Sequence, residues 1–129
     1  MSKVFLIQAP TLNRRTGATP DVRGLTKFGE LRVLVDSSES AEFESELIIS
    51  RIKTRLKGYE DGDYIAHAGG SALAVFVVGM ILRSMGFTEF QWLRYERGTV
   101  DGRRTHEGSH YLPIQVSTLS LADVRFSAA

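Results

Sequence analysis

Apolar positions along the chain come in two rhythms, short strand-length runs and longer stretches with helical spacing. Residues 3–9, KVFLIQA, form a continuous apolar run stopped by Pro10, the pattern of a strand buried on two faces. Residues 27–36, KFGELRVLVD, alternate instead, with Leu31, Val33 and Val35 on one side. Gly29 within that run marks a bulge or a close backbone approach. The period then lengthens. Phe43, Leu47, Ile48, Ile52 and Leu56 follow one helical stripe, with Ser40 as the expected N-cap and Gly58 as the stop. Glu42, Glu44 and Glu46 come early in this helix and Arg51, Lys53, Arg55 and Lys57 late, the order its dipole favours. That basic run reads either as a solvated helix end or as an anion-binding face.

Residues 63–68, DYIAHA, give a third strand, and Gly69-Gly70 a turn. Ser71 then caps a helix that runs to about Met85 and stops at Gly86. It is apolar nearly all round, which predicts the most buried helix, and Gly79 inside it predicts close packing against a neighbour. Residues 89–97 read as a fourth strand. Residues 110–121 read as a fifth, with Leu112, Ile114 and Val116 inward and Pro113 near an edge.

The predicted order is β-β-α-β-α-β-β in a single α/β domain over residues 1–129. This is a small Rossmann-like sandwich with a partly parallel sheet and a C-terminal hairpin. Two consecutive strand–helix–strand units predict parallel neighbours joined by right-handed crossovers. Long polar loops are expected at residues 10–27 and 98–109, the second holding an Asp101-Gly102 turn.

Composition narrows the chemistry. The chain has 129 residues, enough for one core, and a net charge of +1, so any pull on a polyanion must come from local patches. The absence of cysteine excludes disulfides, thiolate metal sites and cysteine nucleophiles. The longest apolar run, residues 72–82, is about half of the ~20 residues a membrane span needs, and no secretory signal opens the chain. The expected location is the cytoplasm, with no membrane partner.

Ligands of open α/β sheets sit beyond the carboxyl ends of the strands. There the predicted fold gathers Asp36, Ser37, His67, Gly69, Gly70 and Ser71. The helix opening at Ser71 would aim free amides at a phosphate, and the two glycines would let the backbone approach it. The glycines serve equally as an ordinary corner between a buried strand and a buried helix. Neither a G-x-G-x-x-G nor a P-loop fingerprint is present. His67 has the place of a general base, with Asp36 to orient it if their strands are neighbours, or of a satisfied structural group. His106 and His110 lie four apart in the expected loop without an acid-rich ligand set. No metal, no cofactor and no catalytic residue is assigned.

A second cluster interleaves aromatics and arginines. Trp92, Arg94, Tyr95 and Arg97 lead into Arg103 and Arg104, and Tyr111 follows. In a hairpin, Trp92, Arg94, Tyr95 and Tyr111 would lie close together, rings for stacking bases and arginines for phosphates. Arg14 and Arg15 make the first long loop basic as well. Alternatively the rings pack under a helix, and Glu96, Asp101 and Glu107 offset the charge.

The stretches KVFLIQAP, KFGELRVLVD, GDYIAHAGGSALA, FQWLRYERG and HYLPIQV together resemble small accessory proteins of tailed bacteriophages. Gly69-Gly70-Ser71 stands where that group has a Gly-x-Pro-like turn. The resemblance implies an intracellular accessory role, through nucleic acid or through host or phage machinery, and transfers no site residue. The leading expectation is a non-enzymatic binder of single-stranded nucleic acid, a transcription or replication cofactor with a polymerase or another protein as further partner. The alternative is a nucleotide or phosphorylated-ligand binder at Asp36, His67, Gly69, Gly70 and Ser71. The third is a protein-binding inhibitor. The apolar helix from Ser71 admits a homo-oligomer.

Overall fold

A computed structural model of the chain describes residues 2–9, 22–36, 45–67, 73–100 and 102–119. It is a mixed α/β fold built on one five-stranded sheet. The strands are β1 (Lys3–Gln8), β2 (Glu30–Val35), β3 (Tyr64–His67), β4 (Glu89–Val100) and β5 (Arg103–Ser117). Two α-helices accompany them, α1 (Glu46–Arg55) and α2 (Leu73–Ser84), and a 3-10 turn spans Arg23–Lys27.

The strand order is β2-β1-β3-β4-β5. The first four strands are parallel and β5 returns antiparallel along β4. β1 is an interior strand, and its run Val4–Ile7 is at most 1% exposed, as a strand covered on two faces must be. β3 and β4 are parallel neighbours, as expected. β2 and β3 are parallel but not neighbours, because β1 lies between them.

Handedness explains how the two faces are covered. The chain leaves β1 toward β2 in one direction along the sheet, then moves the opposite way from β2 to β3 and from β3 to β4. Right-handed crossovers therefore place the first connection on one face and α1 and α2 on the other. The two core clusters follow this division. Phe5, Ile7, Ile65 and Phe90 pack with Ile48, Ile52, Val78 and Leu82 of the helices. Val4, Leu6, Ala66, Leu93 and Tyr111 pack with Leu25 of the 3-10 turn. The expected inward face of Leu31, Val33 and Val35 is not kept: Leu31 packs against the cluster under the 3-10 turn, Val33 is 39% exposed, and Val35 is buried with Leu34 in the helix-side cluster.

α1 buries Ile48, Ile52 and the following Leu56. Leu47 departs from its expected place in the stripe and is 58% exposed, being one residue and about 100° round the helix from Ile48. Ser40 and Phe43 lie outside the described residues, and the helix begins after Ser45. Gly58 closes a 3-10 turn, Leu56–Gly58, that continues α1. α2 ends as expected: the Gly86 N–H donates to Arg83 O, the Phe87 N–H donates to Leu82 O, and Gly86 has φ 96°. This is a Schellman closure with glycine in the left-handed position. Gly29 is a close approach, since a Cβ there would lie 2.2 Å from the Ser2 carbonyl oxygen.

The C-terminal hairpin is longer than expected. Residues 98–100 and 103–109, read from sequence as loop, belong to β4 and β5. Val100 pairs with Arg103, and Gly102 just before Arg103 has φ 76°; Asp101 lies outside the described residues. The ladder shifts register between Glu96 and Gly98.

Candidate functional site

The four parallel strands point their carboxyl ends the same way, which brings Gln8, Asp36, His67 and Arg94 to one end of the sheet. The order β2-β1-β3 makes this end informative. β1 is followed in the chain by β2 on one side of it and β3 by β4 on the other, so the strand order reverses between β1 and β3, the kind of position at which open α/β sheets hold their ligands.

His67 is the last residue of β3, and its side chain is half-buried on the helix-covered face with Ile65. Its Nε2 is buried without a hydrogen-bond partner among the described residues. Burial lowers the imidazole pKa from its ordinary 6.5, so the ring is neutral at neutral pH. Trp92 of β4 stands opposite Ile65 in the ladder, two register positions before the His67–Arg94 pair and on the same face. Its Nε1 is likewise buried without a partner among the described residues. One obligate donor and one neutral imidazole nitrogen, neither with a partner among the described residues, thus occur on neighbouring strands of the same face.

Asp36 follows β2 and is exposed. With β1 between β2 and β3, Asp36 and His67 stand two inter-strand spacings apart at backbone level, roughly 10 Å. The strands are not neighbours, so the condition for Asp36 to orient His67 is not met. Gly69, Gly70 and Ser71 fall in the segment joining β3 to α2, outside the described residues.

The aromatic and basic residues of the hairpin divide between the two faces. Tyr95 and Tyr111 are a directly opposed cross-strand pair with ring centroids 5.4 Å apart. They belong to the cluster under the 3-10 turn, where Tyr111 is only 6% exposed and packs with Leu25. Trp92 and Arg94 are on the opposite face. Trp92 packs against the helix-side core, and the Arg94 Nε donates to Glu96 Oε1 at 2.6 Å. The expected gathering of Trp92, Arg94, Tyr95 and Tyr111 is therefore two separate pairs. The signal was available, because residues 92 and 95 differ by an odd number along one strand.

Arg97, Arg103 and Arg104 lie on the part of the hairpin that extends past His67, where β4 pairs only with β5. Arg14 and Arg15 lie outside the described residues. His106 and His110 fall on one strand, β5, instead of a loop. No group of three or more metal-ligating side chains occurs among the described residues.

Sequence reasoning missed a cleft of about 480 Å³ at the opposite, amino end of the sheet, lined by Tyr59, Asp61, Asp63, Glu89, Gln91 and Gln115 among others. Its loops carry no ligand motif. Its Tyr59 phenol is pushed up to about 12, first by burial and then by the charges of Asp63 and Asp61, so it stays protonated at physiological pH. Asp63 is already engaged by Lys3. The carboxyl end between β1 and β3 has the stronger claim, because the strand order reverses there and His67 Nε2, at the end of β3, has no hydrogen-bond partner among the described residues.

The sequence model of the phage Pam3 gp32-like protein family matches residues 2–103. The match spans all four parallel strands and both α-helices. No curated protein and no solved structure matches the chain.

Proposed function

The chain belongs to the phage Pam3 gp32-like protein family, and for this phage protein we propose binding of a small phosphorylated ligand, a nucleotide by preference, at the carboxyl ends of β1 and β3. The observation that carries the reading is the reversal of strand order at β1, with His67 Nε2, which has no hydrogen-bond partner among the described residues, at the end of the neighbouring β3. Gly69, Gly70 and Ser71 would present backbone amides to the phosphate where α2 begins. Asp36, at the end of the strand next to β1, would accept from a sugar hydroxyl. Neutral His67 would face a polar edge of the ligand, taking either hydrogen-bond role.

Thermal denaturation with a panel of nucleotides and inorganic phosphate tests this. A ligand at a hundred times its Kd adds about 2.7 kcal/mol, which raises the Tm by roughly 5–10 °C in a domain of this size. The rise should shrink in His67→Ala and in Asp36→Ala. No shift with any compound at millimolar concentration would sink the reading.

A second reading rests on the hairpin arm. Its backbone carries Arg97, Arg103 and Arg104 beyond the sheet, a two-stranded ribbon suited to a phosphate backbone. Binding of single-stranded oligonucleotide would then fall steeply with salt. Arg103→Ala with Arg104→Ala would weaken it and flatten the slope by about two, one for each lost phosphate contact.

A further inference from the structure

α1 and α2 each connect parallel strands across the same face, so they run parallel to one another. Their outer surface is apolar in the middle. A groove of about 280 Å³ between them is lined by Ile49 and Lys53 of α1 and by Phe76, Val77 and Met80 of α2, with Ile81 and Ser84 beside them. Leu73, one turn before Phe76 and Val77, is 41% exposed. Such a strip on a helix that otherwise forms the core is an interaction surface in search of a cover.

Charge arrangement identifies the cover. Glu46 shares the outer face of α1 with Ile49 and Lys53, three and seven residues further on. Arg83 shares the outer face of α2 with Phe76 and Met80. One acid therefore stands at the amino end of the parallel pair and two bases at the carboxyl end. A two-fold axis through the middle of the groove, perpendicular to the helices, sets each surface antiparallel to its copy. Glu46 of one chain then meets Lys53 and Arg83 of the other, twice, and the apolar strips meet at the centre.

We propose that this surface is a homodimer interface, formed by α1 and α2 of two copies of the chain around that axis. The inference is independent of the ligand reading. Two helices of 10 and 12 residues laid side by side offer a footprint of about 350 Å² per chain. That is below the standard interface size, so the proposed dimer belongs with weak, reversible associations.

Sedimentation equilibrium of the full chain from about 5 µM to about 1 mM tests it. The expected result is a rise in mass from one chain toward two. Met80→Asp should hold the mass at one chain throughout, with an unchanged circular dichroism spectrum. Glu46→Lys alone, and Lys53→Glu with Arg83→Glu, should each weaken self-association about tenfold or more, since every symmetric contact becomes repulsive twice. Mixing those two charge variants should restore dimers, because each supplies the complement of the other. These variants alter exposed positions or the groove rim, so they report on association even if Met80→Asp fails to fold. A chain that stays monomeric at about 1 mM overturns the proposal, and so does a dimer indifferent to all these changes. Association in the mixture no stronger than in the separate variants overturns the two-fold arrangement.

Discussion

The carboxylate of Asp63 joins the first strand to the third: it accepts the backbone N–H of Lys3 at 2.8 Å and faces the Lys3 ammonium at 3.2 Å. Its second oxygen also accepts the Glu60 N–H at 2.9 Å. Asp63 is 3% exposed, so these three donors replace water around a buried charge. Asp63→Ala should cost about 2–4 kcal/mol, leaving two backbone N–H groups and a largely buried ammonium unpaired. Asp63→Asn should cost less, keeping one acceptor oxygen. Urea denaturation checks both, and an Asp63→Ala loss under about 0.5 kcal/mol would show that water takes over the carboxylate's role.

Gly29 marks the same end of β1 from the other side. Glu30 donates its N–H to Ser2 O at 3.0 Å, and a methyl on Gly29 would strike that oxygen at 2.2 Å. The obstacle is backbone, so no side chain can swing aside. Gly29→Ala should destabilise by about 2 kcal/mol or more through displacement of β2 from β1. A Gly29→Ala melting curve matching the parent would refute this packing.

Gly86 tests a different penalty. Nothing lies within 4 Å of a Cβ built there, yet φ is 96°. The cost of Gly86→Ala is therefore conformational alone, about 1 kcal/mol, and a crystal or solution structure of the variant should retain α2 unchanged. A loss as large as that of Gly29→Ala would mean that the Schellman closure also rearranges.

Much of this architecture was legible because burial leaves a local mark. VFLI at residues 4–7 announced a strand covered twice, and the stripe of Ile48, Ile52 and Leu56 announced α1. Neighbour order left no such mark. Apolar spacing says that β2 and β3 are strands, but not that β1 slips between them, and this insertion separates Asp36 from His67. The outer hairpin was hidden for another reason. RRTHEGSH lies where β5 pairs only with β4, outside the layered core, so its strand form comes from the ladder, without apolar alternation. Tyr95 and Tyr111 read as surface rings because tyrosine suits either setting, and their burial depends on the 3-10 turn at Leu25.

That burial is open to a direct check. If Tyr111 serves the core beneath the 3-10 turn, Tyr111→Ala should cost about 3 kcal/mol and leave any oligonucleotide affinity of the folded fraction unchanged. Tyr95→Ala should cost less, since Tyr95 is only partly buried. The opposite pattern, intact stability with lost binding, would make the tyrosines a stacking platform.

His67 supplies a dependence on pH whose sign follows from its surroundings. Burial lowers its folded pKa below the 6.5 of the unfolded chain, so the unfolded state takes up a proton first as the solution is acidified. Its effect on stability is absent above pH 6.5. As pH falls from there toward the folded pKa, stability drops, and below that value the effect levels off. His67→Gln cannot titrate, so it should flatten the decline between pH 6.5 and pH 5 in urea midpoints measured at constant ionic strength. Bound ligand that accepts from the ring as imidazolium would reverse the trend, raising the pKa of His67 in the complex. Proton NMR of the imidazole across the titration reads this directly, and a free-protein pKa at or above 6.5 would show that the ring is solvated rather than enclosed.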